Sequence, residues 1–204
     1  MSIDPPCPKR GSGNVRRAAI AQAAREIIVE KGLEGLRTRD IAQRVGINIA
    51  TLHYHVPSKE ALIALVSESI RDEFRAQYVR RSRENKTALE LLRMEFEDFF
   101  EILTDMPHLL VVLAELSERA RRDPAVSAIV APLGAFWRGQ MEEILRLGAT
   151  DGSFRTEMDP HAGALIITGA LSEFARTRGR FGSAPELFAE LERSVRRPQL
   201  SHQG

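Results

Sequence analysis

The feature that most constrains this chain is its periodicity. Apolar residues recur at helical spacing along almost its whole length, and alternation of apolar and polar residues is sustained nowhere. The punctuation agrees. Gly32 and Gly46 follow periodic segments as stops, while Asp123-Pro124 and Asp159-Pro160 each set a capping carboxylate before a proline at the first helical position. Ser183 and Glu186 stand at capping-box spacing. The expectation is an all-α chain of about nine helices without a sheet.

In order, 14–32 reads as a helix with Ala19, Ala23, Ile27 and Ile28 as its apolar stripe. A short helix follows, with Thr38 as N-cap and Gly46 at its end, and Asn48 caps a second one that runs to His55. Pro57 breaks that helix and Ser58 caps a long one, with Leu62, Val66, Ile70, Phe74 and Tyr78 at steps of four. Leu89, Leu92, Phe96, Phe99, Phe100 and Leu103 trace the next apolar face, and Pro107 opens a further helix. The helix capped by Asp123 has Val126, Ile129, Leu133, Phe136, Trp137, Met141 and Ile144 as its inner face. A turn centred on Asp151-Gly152 precedes a helix over 161–176, and the last runs from Ser183 to about Val195. Residues 1–13 and 198–204 read as flexible tails.

Net charge is +1, which favours no partner, but its distribution does. Residues 1–60 carry ten Lys/Arg against six Asp/Glu, and the remainder nineteen against twenty-two. Positive charge is thus concentrated where the short helices cluster, a place that attracts a phosphate backbone. A single cysteine, Cys7, allows neither an internal disulfide nor a cysteine zinc cluster. The first residues lack the apolar core of a signal peptide, and the run LLVVLA is too short to span a bilayer. These features imply a soluble, cytoplasmic protein that needs no metal or cofactor and no membrane.

The stretch GINIATLHYHVPSKEAL, 46–62, carries the chemistry. His53 and His55 are two apart, and on a helix that sets them about 200° apart, so they do not chelate one ion. No nucleophile elbow, phosphate loop or zincin motif accompanies them, so the residues offer no enzyme constellation. Leu52 and Val56 are spaced to pack inward, but one short helix cannot bury His53, Tyr54 and His55 as well. A helix-turn-helix accounts for all of them. Its second helix places Asn48 and Thr51 to hydrogen-bond base edges and Ile49 and Ala50 to touch a thymine methyl, with His, Tyr and Lys side chains on phosphates.

The segment GLRTRDIAQRVGINIATLHYHVPSKEALIALV resembles the DNA-binding domain of the TetR family of bacterial transcriptional regulators, over roughly 18–66. The order TRDIA, VG, TL, Y, PSKEAL carries the resemblance. It implies a phosphate contact at Thr38, a base-reading arginine at Arg39, groove-facing residues from Asn48 to Thr51, and backbone contacts at His53, Tyr54, His55 and Lys59. For Arg39 and Lys59 the plain alternative is solvated surface charge. The chain departs from the common pattern at Ala50, where many members have Gly, and at His53-Tyr54-His55-Val56, where Tyr-His-Tyr-Phe is frequent. Those are reading positions, so no operator is carried over.

The rest of the chain follows from what one such module lacks. Paired modules about 34–36 Å apart read a palindrome. The helix over 161–176 and the last helix carry more apolar positions than one face needs, and Leu165, Ile166, Ala170, Leu187 and Leu191 are the candidate homodimer interface. Intramolecular packing is the alternative. Phe96, Phe99, Phe100, Leu103, Met106, His108, Phe136, Trp137 and Met141 form an aromatic and methionine set for an effector pocket, with His108, Glu115, Trp137 and Gln140 as polar groups. The same stripes also suit plain core. The looser segment 119–160 resembles a domain shared with repressors of choline and betaine metabolism. The organisation expected is DNA binding in 14–60 and ligand binding and dimerisation in 61–197. The resemblance implies a one-component regulator, a repressor released from double-stranded operator DNA by a small molecule. The alternative is an effector-sequestering protein with a silent helix-turn-helix.

Overall fold

The computed structural model describes residues 10–177, 180 and 182–197. The expected tail residues 1–9 and 198–204, and Cys7 with them, lie outside the described residues. Among the described residues nine α-helices follow one another: α1 (Arg10–Lys31), α2 (Thr38–Val45), α3 (Ile49–His55), α4 (Lys59–Val79), α5 (Ala88–Asp105), α6 (Pro107–Ala120), α7 (Pro124–Asp151), α8 (Pro160–Arg176) and α9 (Ala184–Val195). A 3-10 turn, Leu33–Gly35, joins α1 to α2. Phe154 and Arg196 form an isolated antiparallel bridge, and no strand occurs among the described residues.

The helix starts follow the caps in most cases. Asn48, Asp159 and Ser183 accept the N–H groups of Thr51, Ala162 and Glu186, and Ser183 completes its box with Glu186. Ser58 accepts from Ala61 N–H at 3.1 Å, and Asp123 from Ala125 N–H at 3.1 Å. Thr87 and Glu90 form a further capping box at the head of α5.

Thr38 is different. Arg37 holds the extended cap geometry, φ −119° and ψ 137°, without a side-chain bond, and Thr38 is already the first helical residue. The chain enters α2 one residue earlier than the hydroxyl suggests, and Asp40 supplies the acidic group of the first turn. At the other end of α1 the helix starts at Arg10, not after Gly13. Glycine in a helix costs about 1 kcal/mol relative to alanine, which weakens a helix without ending it. Pro132 is likewise accommodated inside α7.

The contacts divide the chain into two units. The described residues up to Phe74 form one with Val111–Val130, and Arg75–Leu110 form the other with the described residues from Ala131 on. The grouping therefore does not cut at residue 60 but keeps α4 as far as Phe74 with the N-terminal helices. In the first unit Ile20, Ala24, Ile27, Ile41, Leu52, Leu62, Val66 and Ile70 are buried. Ile20, not the exposed Ala19, leads the inner stripe of α1.

The second unit centres on Leu92, Phe96, Phe99, Met141, Leu145, Phe154, Ile167, Leu171, Leu191 and Val195. Gly148 lets Phe154 fold back against α7, since a Cβ there would overlap the phenyl ring. Arg155 N–H donates to Val195 C=O at 3.0 Å, which ties the segment after α7 to the end of α9. A charged group joins α4 to α5. The Arg83 guanidinium lies 3.6 Å from the Tyr78 ring centre and reaches Asp98 at 2.5 Å and Glu95 at 3.2 Å.

Candidate nucleic-acid interface

The short helices of the first unit stand on one buried scaffold. Ile41 and Ala42 anchor α2, Leu52 anchors α3, and Val56 closes its end. Gly46 makes the turn between them with φ 73° and ψ 33°, a left-handed geometry that favours glycine. Ile47 N–H then donates to Ala42 C=O at 2.9 Å. Asn48 follows as the cap, its Oδ1 accepting Thr51 N–H at 2.7 Å. That bond uses one lone pair of the oxygen, which leaves its second lone pair and the NH2 group to face a partner.

The other side of this scaffold is exposed. Thr38, Arg39, Asn48, Ile49, Ala50, His53, Tyr54 and Lys59 all face solvent, and Thr51 and His55 are half-buried. Tyr54 is 84% exposed, an unusual position for a large aromatic side chain. The His55 ring meets it edge-on, with centres 5.2 Å apart. His53 and His55 project apart, as two-residue spacing on a helix requires, and among the described residues no group of three or more His, Cys, Asp or Glu is placed to hold a metal ion. Lys59, the first residue of α4, lies 4.0 Å from Glu34.

Not every cation of the basic N-terminal region is available. Arg44 makes two bonds to Glu30, at 2.9 and 2.8 Å, and the pair lowers the Glu30 carboxyl below its usual range. Lys31 pairs with Asp40 at 2.7 Å, and Arg25 is buried against Glu73 at 3.0 Å. Sequence reasoning missed two residues here. Arg17 donates to the His55 carbonyl at 3.3 Å and so holds the end of α3 from α1. Arg37 is exposed directly before Thr38. The Arg16-Arg17 pair and the excess of positive charge were the only signals for them.

The second unit brings together part of the expected effector set. Phe96, Phe99 and Met141 are buried, with Leu103 and Trp137 packed against them. Phe99 and Trp137 stack with centres 6.1 Å apart, and Phe96 stacks on Phe188 at 4.9 Å. Gln140 accepts the Tyr78 hydroxyl at 3.1 Å. Phe100 and Phe136 fall outside this group, at 46% and 47% exposure, because each follows or precedes a packed aromatic by one residue and points about 100° away. His108 is exposed in the first turn of α6, and Met106 is half-buried at the end of α5. Glu115 belongs to the other unit, where its carboxylate accepts Leu33 N–H at 2.8 Å.

The expected dimer residues also separate. Leu165 and Ile166 are each 58% exposed on α8. Leu191 is buried in the intramolecular core, with Ala170 and Leu187 packed against it. The apolar face of α9 is spent on α5 and α8 within the chain, so Leu191 is a core residue and not a free interface one. Among the described residues no helix is long and apolar enough to cross a membrane.

Comparison with known proteins matches residues 20–66 to the family model "Bacterial regulatory proteins, tetR family". The HTH-type transcriptional repressor KstR2 of Mycolicibacterium smegmatis is 28% identical over 144 residues, covering 71% of this chain and 70% of that protein. The tetracycline repressor protein class D of Escherichia coli is 39% identical over 56 residues, which cover 28% of this chain and 26% of that one. In fold, the crystal structure of a TetR-family transcriptional regulator from Agrobacterium tumefaciens is similar with a TM-score of 0.77. That likeness covers 91% of this chain and 100% of the other at 22% identity.

Proposed function

We propose that this chain, which belongs to the tetR family of bacterial regulatory proteins and is a DNA-binding transcriptional regulator, is a cytoplasmic, homodimeric repressor that leaves a palindromic operator when a small molecule binds it. Members of this family regulate transcription and are not enzymes, and the same holds here. The observation that carries the proposal is the exposure of Tyr54, 84%, beside a Leu52 that is fully buried. A helix only seven residues long is thus anchored by one face and offers hydrogen-bonding and aromatic groups on the other.

DNA binding is assigned to 14–60, and ligand binding and dimerisation to 61–197. Arg39, the Asn48 NH2 and Thr51 read base edges, and Ile49 and Ala50 meet a thymine methyl. Thr38, His53, Tyr54, His55 and Lys59 hold phosphates. The second copy docks on α8 through Leu165 and Ile166, whose exposure supports this. The effector lodges by Phe99, Trp137 and Gln140, and α4 carries the response. For release, the effector must bind the released geometry more tightly than the DNA-bound one.

Two substitutions test the DNA face. Lys59→Ala weakens binding to every duplex and lowers the salt slope by about one unit. Thr51→Ala relaxes preference at one base position. Wild-type behaviour of both variants on all duplexes contradicts the assignment.

A further inference from the structure

One carboxylate of α6 holds the turn that leads into the helix-turn-helix. Glu115 Oε2 accepts the backbone N–H of Leu33 at 2.8 Å. Leu33 opens the 3-10 turn between α1 and α2, and its side chain is buried. Gly32, directly before it, has φ 71°, and a Cβ there would stand 3.2 Å from the same carboxylate oxygen. The turn therefore offers the carboxylate both a donor and the space to reach it. Arg119, one helical turn further along α6, pairs with Glu34 of the same turn at 3.2 Å. All these groups lie in the first unit.

We infer that Glu115 is a positioning residue for DNA binding: through the Leu33 N–H it makes α6 and the entry of α2, with Thr38 and Arg39, move as one. This rests on the DNA-binding assignment above. Binding linkage is reciprocal, so a duplex that orders the helix-turn-helix also orders α6 over 111–120. A carboxylate that merely stabilised the turn would raise the melting temperature and transmit nothing.

Hydrogen exchange with and without a duplex retained from a random library separates the two roles. The proteins compared are wild type, Glu115→Gln and Glu115→Ala. Glutamine keeps an oxygen for the Leu33 N–H and alanine does not. The duplex slows exchange across 111–120 about threefold or more in wild type and Glu115→Gln. Glu115→Ala binds the duplex about tenfold more weakly, and its α6 does not respond. If that variant does not fold, wild type alone decides, because its Leu33 amide, resolved by NMR, must slow on duplex binding. Wild type that binds duplex with Leu33 and α6 unchanged overturns the inference, as does a Glu115→Ala protein that still transmits. Wild type that retains no duplex at all overturns the DNA-binding assignment itself, a separate result.

Discussion

The side-chain oxygen of Asn48 accepts the backbone N–H of Thr51 at 2.7 Å, so the residue that opens α3 is at once its cap and part of the exposed face. The two duties can be separated by substitution. Asn48→Ala removes the cap and destabilises the protein by about 1 kcal/mol. Asn48→Asp keeps an acceptor and keeps stability, but sets a negative charge against DNA. Chemical denaturation and duplex titration read the two effects. Loss of stability in Asn48→Asp equal to that in Asn48→Ala would contradict the cap.

Tyr54 and Leu52 give the opposite pairing of effects. Tyr54→Ala leaves stability within about 0.5 kcal/mol, since its ring is exposed, and weakens duplex binding. Leu52→Ala costs about 2–5 kcal/mol because its side chain is fully buried. Thermal melts beside binding curves check both. A stability loss in Tyr54→Ala comparable to that in Leu52→Ala would place Tyr54 in the core instead.

Gly148 answers to packing alone. Gly148→Ala drives a methyl into the Phe154 ring and destabilises by about 1–3 kcal/mol, despite the better helix propensity of alanine. Gly139 lies on the same helix with open space around its Cβ position, and Gly139→Ala is neutral or stabilising by up to about 1 kcal/mol. Matched unfolding curves of the two variants give the comparison.

Glu95 makes stability depend on pH. Burial raises its carboxyl above the usual 4.5, against the pull of the Arg83 charge, and Asp98 adds to the rise. The folded state thus holds this proton more tightly than the unfolded state. The resulting stabilisation is complete below the ordinary glutamate range and is lost as pH rises through the raised value. Glu95→Gln abolishes that titration while Arg83 keeps Asp98. Its stability relative to wild type should therefore climb as pH rises above 4.5, measured by urea unfolding at several pH values. A difference that stays flat with pH contradicts the assignment.

Leu165 and Ile166, each 58% exposed on α8, test the proposed dimer interface. Leu165→Glu with Ile166→Glu leaves the folded chain intact, because both side chains are exposed in the single chain, and converts dimer to monomer in sedimentation. Wild type that sediments as a monomer at micromolar concentration contradicts the dimer, and a double variant that remains dimeric moves the interface elsewhere.

The helices were legible because their punctuation is local. Asn48, Asp159 and Ser183 cap where their side chains stand, and Gly46 turns where glycine is favoured. Thr38 failed because a hydroxyl near a helix start says nothing about which residue leaves the extended geometry last. The exposed face of α3 was legible for a similar reason, since a short helix with one inward apolar pair must turn its other side chains out. The fate of Phe100, Leu191 and Glu115 was not. An apolar stripe is written alike for a core, a pocket or an interface, and only the partner element decides which. The partner of Glu115 is a backbone N–H, which leaves no mark in the sequence.

On the proposed function, the exposed face of α2 and α3 reads DNA as half of a symmetric pair. Selection from a random duplex library at moderate salt, followed by sequencing of what the protein retains, tests it most directly. A symmetric pair enriches a palindrome whose half-sites lie about 34–36 Å apart, one helical turn. No enrichment by protein shown to be folded and dimeric, or enrichment of a single unpaired site, would contradict it.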